Sequence, residues 1–214
     1  MADVLGRLRE MKIVPVIVID DAESAVPLAR ALVEGGLPCA EVTFRTAAAA
    51  EALRRMTGAY PDMLAGAGTV LTPEQAGEAV AAGAKFVVSP GFNPAVVDWC
   101  RENGVPVFPG VCTPTEIEMA FARGLRVVKF FPAEPIGGLP YLKAIAAPYG
   151  MMEFIPTGGI SVGNFVSYLG FSRVVATGGS WMVSPEWVRA GDFDRVRQEV
   201  ERSVQAVRDF TGGK

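Results

Sequence analysis

The sequence predicts an α/β fold of repeated strand–helix units closed into a (β/α)8 barrel with a short N-terminal helix. Three observations carry that expectation. Short apolar runs recur at eight places along 214 residues, stretches of helical pattern lie between them, and no glycine-rich loop follows the first run. Strands alternating with helices require parallel pairing and right-handed crossovers. Eight units of roughly 20–25 residues suit a closed barrel, slightly compact for that architecture. The competitor is an open doubly wound sheet, which normally carries a glycine-rich turn after its first strand. Here the first run ends Val18-Ile19-Asp20-Asp21.

The first element to justify is the N-terminal helix. Arg7, Arg9 and Lys12 precede the apolar run Ile13–Ile19, an order that faintly mimics a signal peptide. The run contains Pro15, meets Asp20 at once and has no small-x-small cleavage site after it, so an amphipathic helix leading into a strand is expected. The remaining strands are expected at Pro38–Phe44, Met63–Ala67, Phe86–Val88, Val105–Phe108, Arg126–Phe131, Glu153–Pro156 and Arg173–Ala176. Each is rich in β-branched, aromatic or small residues and too short for a buried helix. Helix starts are marked by Thr72-Pro73-Glu74-Gln75 and Thr113-Pro114-Thr115-Glu116, which read as capping boxes with proline in the first turn. Asn93-Pro94 and Ser184-Pro185 repeat the cap-then-proline signal, and glycines 35, 83, 104, 124 and 170 close helical stretches. With no linker or low-complexity segment, residues 1–214 are expected to form a single domain.

Composition narrows the chemistry. Half the residues are hydrophobic and a fifth charged, enough to fill a large core. A net charge of −3 and a pI near 5.2 provide no electrostatic footprint for nucleic acid or an anionic membrane. Histidine is absent, which removes His-dependent triads and His-ligated metal sites. No metal and no cofactor are therefore expected, and acid–base work falls to carboxylates, amines, hydroxyls or water. Cys39, Cys100 and Cys112 are odd in number and far apart, and read as reduced thiols of a cytoplasmic protein.

One lysine stands inside an apolar strand, in Val127-Val128-Lys129-Phe130-Phe131. An amine among valines and phenylalanines loses hydration, which favours the neutral form that attacks carbonyl carbon to make a Schiff base. Chemistry gathers at the C-terminal ends of barrel strands. Lys12 and Lys85 fall at strand starts, Lys143 on a helix and Lys214 in the tail, so Lys129 is the one plausible imine former.

The second strand ends Glu41-Val42-Thr43-Phe44-Arg45-Thr46, and its alternation puts Glu41, Thr43 and Arg45 on one face. A buried structural ion pair is the bland reading of Glu41 and Arg45. The functional one gives Glu41 proton transfer and Arg45 a forked grip on a substrate carboxylate. Thr69, ending the third strand, can donate to the same carboxylate. Thr157-Gly158-Gly159 and Thr177-Gly178-Gly179-Ser180 close the last two strands, where barrels bind phosphate through backbone N–H groups. Cys112 lacks an electropositive activator and reads as a small wall residue.

Taken together, these segments resemble the bacterial 2-keto-3-deoxy-6-phosphogluconate (KDPG) and 4-hydroxy-2-oxoglutarate (KHG) aldolases, the class I aldolases of the Entner–Doudoroff pathway. The likeness spans nearly the whole chain: VPVIVI at 14–19, EVTFRT at 41–46, GAGTVL at 66–71, SPG at 89–91, KFFPAE at 129–134, PTGGIS at 156–161 and GGSW at 178–181. The resemblance implies Lys129 as the imine lysine, Glu41 as the proton-transferring group, and Arg45 and Thr69 as carboxylate contacts. It also implies the two Thr-Gly-Gly segments with Ser180 as the phosphate cradle, small-molecule substrates as the partners, and a homotrimer. One position departs from the family pattern: Cys112 stands where relatives often carry serine, which raises the question of oxidation sensitivity. Two other activities compete, an aldolase for the galactonate epimer and a phosphosugar isomerase or epimerase using Glu41 as a carbon-acid base.

Overall fold

The computed structural model describes residues 4–213, so Lys214 lies outside the described residues. Helix α1 (Val4–Met11) leads into β1 (Ile13–Ile17), and strands and helices then alternate. The order is α2 (Ala25–Glu34), β2 (Cys39–Thr43), α3 (Ala49–Ala59), β3 (Leu64–Gly68), α4 (Pro73–Ala81), β4 (Val87–Val88) and α5 (Pro94–Glu102). After β5 (Val107–Phe108) and β6 (Gly110–Val111) come α6 (Pro114–Ala122), β7 (Val127–Phe130), α7 (Gly138–Ala146), β8 (Glu153–Pro156) and α8 (Phe165–Leu169). The chain closes with β9 (Thr177–Gly179), α9 (Pro185–Ala190) and α10 (Phe193–Gly212).

The strands are parallel, but they do not form the closed eight-stranded (β/α)8 barrel expected from the sequence. Among the described residues, nine strands pair in two sheets, one of six in the order β5-β4-β3-β2-β1-β9 and one of three in the order β6-β7-β8. Two local causes are visible. Proline has no N–H with which to continue a ladder, and Pro109 separates the expected fifth strand, Val105–Phe108, from a further pair of strand residues, Gly110–Val111, that was not expected. The first pairs with β4, the second with β7, and the Pro109 carbonyl accepts from the Lys129 N–H at 3.0 Å. The expected last strand, Arg173–Ala176, carries only an isolated bridge between Phe154 and Val174. The ladder partner of β1 is instead Thr177–Gly179. A second isolated bridge joins Thr157, just after β8, to Gly178 of β9.

Helix ends follow the local signals unevenly. Thr113 and Glu116 complete a capping box, and Asn93 caps the Ala95 N–H at 3.0 Å. Thr72 caps the Gln75 N–H, but the Gln75 side chain turns to the Leu71 N–H, so that box is half made. Ser184 makes no side-chain cap bond. Among the expected closing glycines, Gly83, Gly104 and Gly124 take positive φ, whereas Gly35 and Gly170 do not.

The core lies between strands and helices, and α1 closes the strands at their N-terminal ends. Leu8 of α1 is fully buried against the interior apolar residues. The long α10 packs on α2 so closely that a Cβ on Gly35 would lie 2.6 Å from Val200. The C-terminal ends of the strands are where open parallel α/β sheets place ligands. Among the described residues no helix is long and apolar enough to cross a membrane.

Candidate active site

Alternation along parallel strands sends every second side chain to the interior, and two of those side chains are charged. Glu41 on β2 and Lys129 on β7 are 3% and 5% exposed, with Lys129 Nζ 3.3 Å from Glu41 Oε1. They come from different sheets, so the pair spans the interior. Glu41 therefore pairs with Lys129, and the structural ion pair with Arg45 weighed from the sequence is not formed. The room for Glu41 comes from β3. A Cβ on Gly68 would overlap the Glu41 carboxylate, so that glycine is required by its neighbour.

Beside the pair is a small cavity of about 10 Å³ with apolar walls, among them Leu8, Val14, Phe86 and Phe108, to which Thr157 adds a hydroxyl. The Phe131 ring centroid lies 5.1 Å from Lys129 Nζ. Burial of the amine follows from the apolar strand. The sequence assigned proton transfer to Glu41 but gave no distance to the amine; the structure brings the two within hydrogen-bonding reach, an amine and its proton acceptor.

Arg45 and Thr69 extend this site toward solvent. Thr69 follows directly on Gly68, and Arg45 lies two residues beyond the buried Thr43, whose hydroxyl donates to the Ile17 carbonyl at 2.8 Å. Arg45 Nε donates to Thr69 Oγ1 at 3.0 Å, which leaves the Thr69 proton available to donate onward. The terminal guanidinium nitrogens make no hydrogen bond among the described residues and form an open fork. Thr69 holds φ +57°. For a β-branched residue this is a strained backbone, and such strain persists where the surroundings over-determine it, often at functional sites.

The two Thr-Gly-Gly segments turn out unlike each other. Thr157 is buried, while Gly158 and Gly159 take φ +99° and +77° in a turn after β8. Thr177, Gly178 and Gly179 are not a loop after a strand; they are β9 itself and are buried. Gly178 is small because the Thr157 side chain fills its Cβ position, and Gly179 because the Trp181 ring fills its own. Only Ser180, at the end of β9, is exposed.

Other candidates fall away. Lys85 Nζ is held by the Pro61 and Met63 carbonyls at 2.5 and 2.9 Å, and Lys143 lies on α7 near the Phe171 ring. Burial first, and then the Glu116 carboxylate, push the Cys112 thiol up, which disfavours a thiolate nucleophile. Burial raises Cys39 to about 12 and Cys100 to about 11. The sequence reading missed Gly68 and Phe131, and in both cases the signal was at hand. Gly68 falls in the Gly-Ala-Gly run one residue before Thr69, and Phe131 two residues after Lys129.

Comparisons with known proteins identify the family. A family model described as KDPG and KHG aldolase matches residues 4–199. The 2-dehydro-3-deoxy-phosphogluconate aldolase of Treponema pallidum is 50% identical over 207 residues, 97% of this chain and 99% of that one. The KHG/KDPG aldolase of Escherichia coli K12 is 42% identical over 196 residues, 92% of each chain. Among solved structures, the KDPG aldolase of Legionella pneumophila, with pyruvate captured at low pH as a covalent carbinolamine intermediate, superposes with a TM-score of 0.90. It is 38% identical, and the match covers 94% of this chain and 98% of that one. With relatives this similar along almost its full length, the chain belongs to the KDPG and KHG aldolase family, a family of lyases.

Proposed function

We propose that this chain is a class I aldolase that cleaves 2-keto-3-deoxy-6-phosphogluconate to pyruvate and glyceraldehyde 3-phosphate, with Lys129 as the imine-forming amine. The observation that carries the reading is the buried contact of Lys129 with Glu41 in an apolar cavity. Neutral Lys129 attacks the C2 ketone, and loss of water from the carbinolamine leaves a protonated imine. The C3–C4 bond then breaks, its electron pair passing toward the imine nitrogen to give an enamine. Glu41 takes the C4 hydroxyl proton as the aldehyde forms. It returns a proton to C3, and hydrolysis of the imine releases pyruvate. Arg45 and Thr69 hold the substrate carboxylate, which keeps the ketone near the amine.

We place the substrate phosphate at the Gly158 and Gly159 N–H groups and Ser180, with Thr157, Gly178 and Gly179 shaping the wall. Turn N–H groups at positive φ make such anion cradles. The 2-keto-4-hydroxy acid without phosphate, 4-hydroxy-2-oxoglutarate, is the second substrate we propose. The family description and the name of the E. coli relative support it. We also read the enzyme as a cytoplasmic homotrimer of the Entner–Doudoroff pathway. The family resemblance and three free thiols support this, and a solution mass of three chains tests the assembly.

Incubation with pyruvate and borohydride, followed by peptide mapping, tests the central step. A single reduced adduct on Lys129 is expected. Labelling of Lys85 or Lys143 instead, or none at all, sinks the imine assignment and leaves the isomerase reading.

The Gly68 contact yields another expectation. Gly68→Ala forces the Glu41 carboxylate away from Lys129, so kcat should fall by more than about tenfold, and separating the two buried charges should also lower thermal stability. Gly110→Ala offers the contrast, since its Cβ would overlap the Pro90 carbonyl, backbone that cannot yield. If Gly68→Ala turns over normally, Glu41 need not occupy its observed position.

A further inference from the structure

Behind each Thr-Gly-Gly segment is a side-chain hydrogen bond that the reaction itself does not use. At the first, the Ala133 and Glu134 N–H groups donate to the Thr157 and Gly158 carbonyls at 2.8 and 3.0 Å. Glu134 packs so tightly there that a Cβ on Gly159 would lie 2.5 Å from its own Cβ. Tyr168 on α8, 1% exposed, donates its hydroxyl to the Glu134 carboxylate. Burial and that carboxylate raise the phenol, so the donor keeps its proton throughout the working range. At the second segment, the Trp181 ring occupies the space beside Gly179, and its Nε1–H donates to Ser203 Oγ on α10 at 3.0 Å. Ser203, also 1% exposed, passes its own proton to the Glu199 carbonyl at 2.8 Å. Trp181 stacks on Phe165 of α8, with ring centroids 5.2 Å apart, so one short helix supports both arrangements.

We propose that Tyr168 and Ser203 are positioning residues for the substrate phosphate, acting through Glu134 and Trp181 on the backbone groups at 157–159 and 178–180. The proposal rests on the phosphate placement above. A cradle of backbone N–H groups works only while their directions are held, because the donors cannot reorient toward the anion individually. Neither hydroxyl lines the Lys129 cavity. Their loss should therefore act on the phosphate end of the substrate and leave the carbonyl end unchanged.

The test compares Tyr168→Phe and Ser203→Ala with wild type on the phosphorylated substrate and on 4-hydroxy-2-oxoglutarate, which has no phosphate. KM for the phosphorylated substrate should rise about tenfold in each variant, the size of one lost hydrogen bond. Its kcat, and both constants for 4-hydroxy-2-oxoglutarate, should stay within about twofold. Glu134→Gln, which keeps an acceptor for Tyr168, should behave like wild type. Equal losses on both substrates, or no change on either, overturn the proposal. Should Tyr168→Phe or Ser203→Ala fail to fold, Glu134→Ala and Trp181→Phe break the same two bonds from the other side and decide on the same terms. Inhibition of wild type by inorganic phosphate separates the two layers of the argument. If wild type is inhibited and the variants are unaltered, the positioning role falls alone. If wild type shows neither inhibition nor preference for the phosphorylated substrate, the phosphate placement falls and takes this proposal with it.

Discussion

Lys129→Met abolishes aldol cleavage and also destabilises the fold, and these two effects separate in a double variant. Turnover should drop roughly 10⁴–10⁶-fold, the scale seen when a covalent nucleophile is removed. The stability effect has a different origin. Methionine fills the volume of the lysine stem but leaves Glu41 as a buried carboxylate without its partner. Breaking one side of a buried pair costs about 3–5 kcal/mol, whereas replacing both sides by neutral groups of similar size is often neutral or favourable. Lys129→Met with Glu41→Gln should therefore regain most of the lost thermal stability and none of the activity. Denaturant midpoints and a coupled pyruvate assay on wild type, single and double variants read the two effects side by side. If the single variant is as stable as wild type, the contact is not the desolvated pair described here. If it retains measurable cleavage, the imine is made elsewhere.

The parts of the architecture legible in the sequence were those written in local chemistry. Apolar runs between proline-led helix starts placed β1 to β4, β7 and β8 within a few residues, because period, caps and turn residues are local signals. What failed was pairing. Val105–Phe108 looked like one strand, yet Pro109 hands the chain from one sheet to the other, and no local signal says which neighbour a strand will take. Thr177-Gly178-Gly179 looked like a loop because glycine weakens strands. It is a strand because it pairs with β1, and its glycines leave the space taken by Thr157, distant in sequence, and by the nearby Trp181 ring. The site divides in the same way. Glu41, Lys129, Arg45 and Thr69 were legible as strand-end residues of unusual chemistry. Their mutual distances, the left-handed backbone of Thr69 and the vacancy at Gly68 are products of sheet register, to which a single sequence gives no access.

Glu41→Gln should divide binding from proton transfer more cleanly than any change at Lys129. The amide has the shape of the carboxylate, fits the same space beside Gly68 and can still accept from Lys129 Nζ, but it cannot take up a proton. Pyruvate should still be trapped on Lys129 by borohydride, while cleavage falls by about 10²–10⁴-fold, the usual contribution of general acid–base catalysis. The sharper readout is exchange of the pyruvate methyl protons with deuterated water, since it isolates the enamine step from cleavage. Among the residues lining the cavity, only Thr157 and Lys129 itself carry other exchangeable protons, and neither is a carboxylate. Exchange should therefore slow in parallel with cleavage. If it proceeds at the wild-type rate, the enamine is protonated by a group outside this cavity, and Glu41 keeps only its charge-pairing role with Lys129. If trapping disappears together with exchange, Glu41 is needed earlier, to draw the proton from Lys129 before the amine can attack.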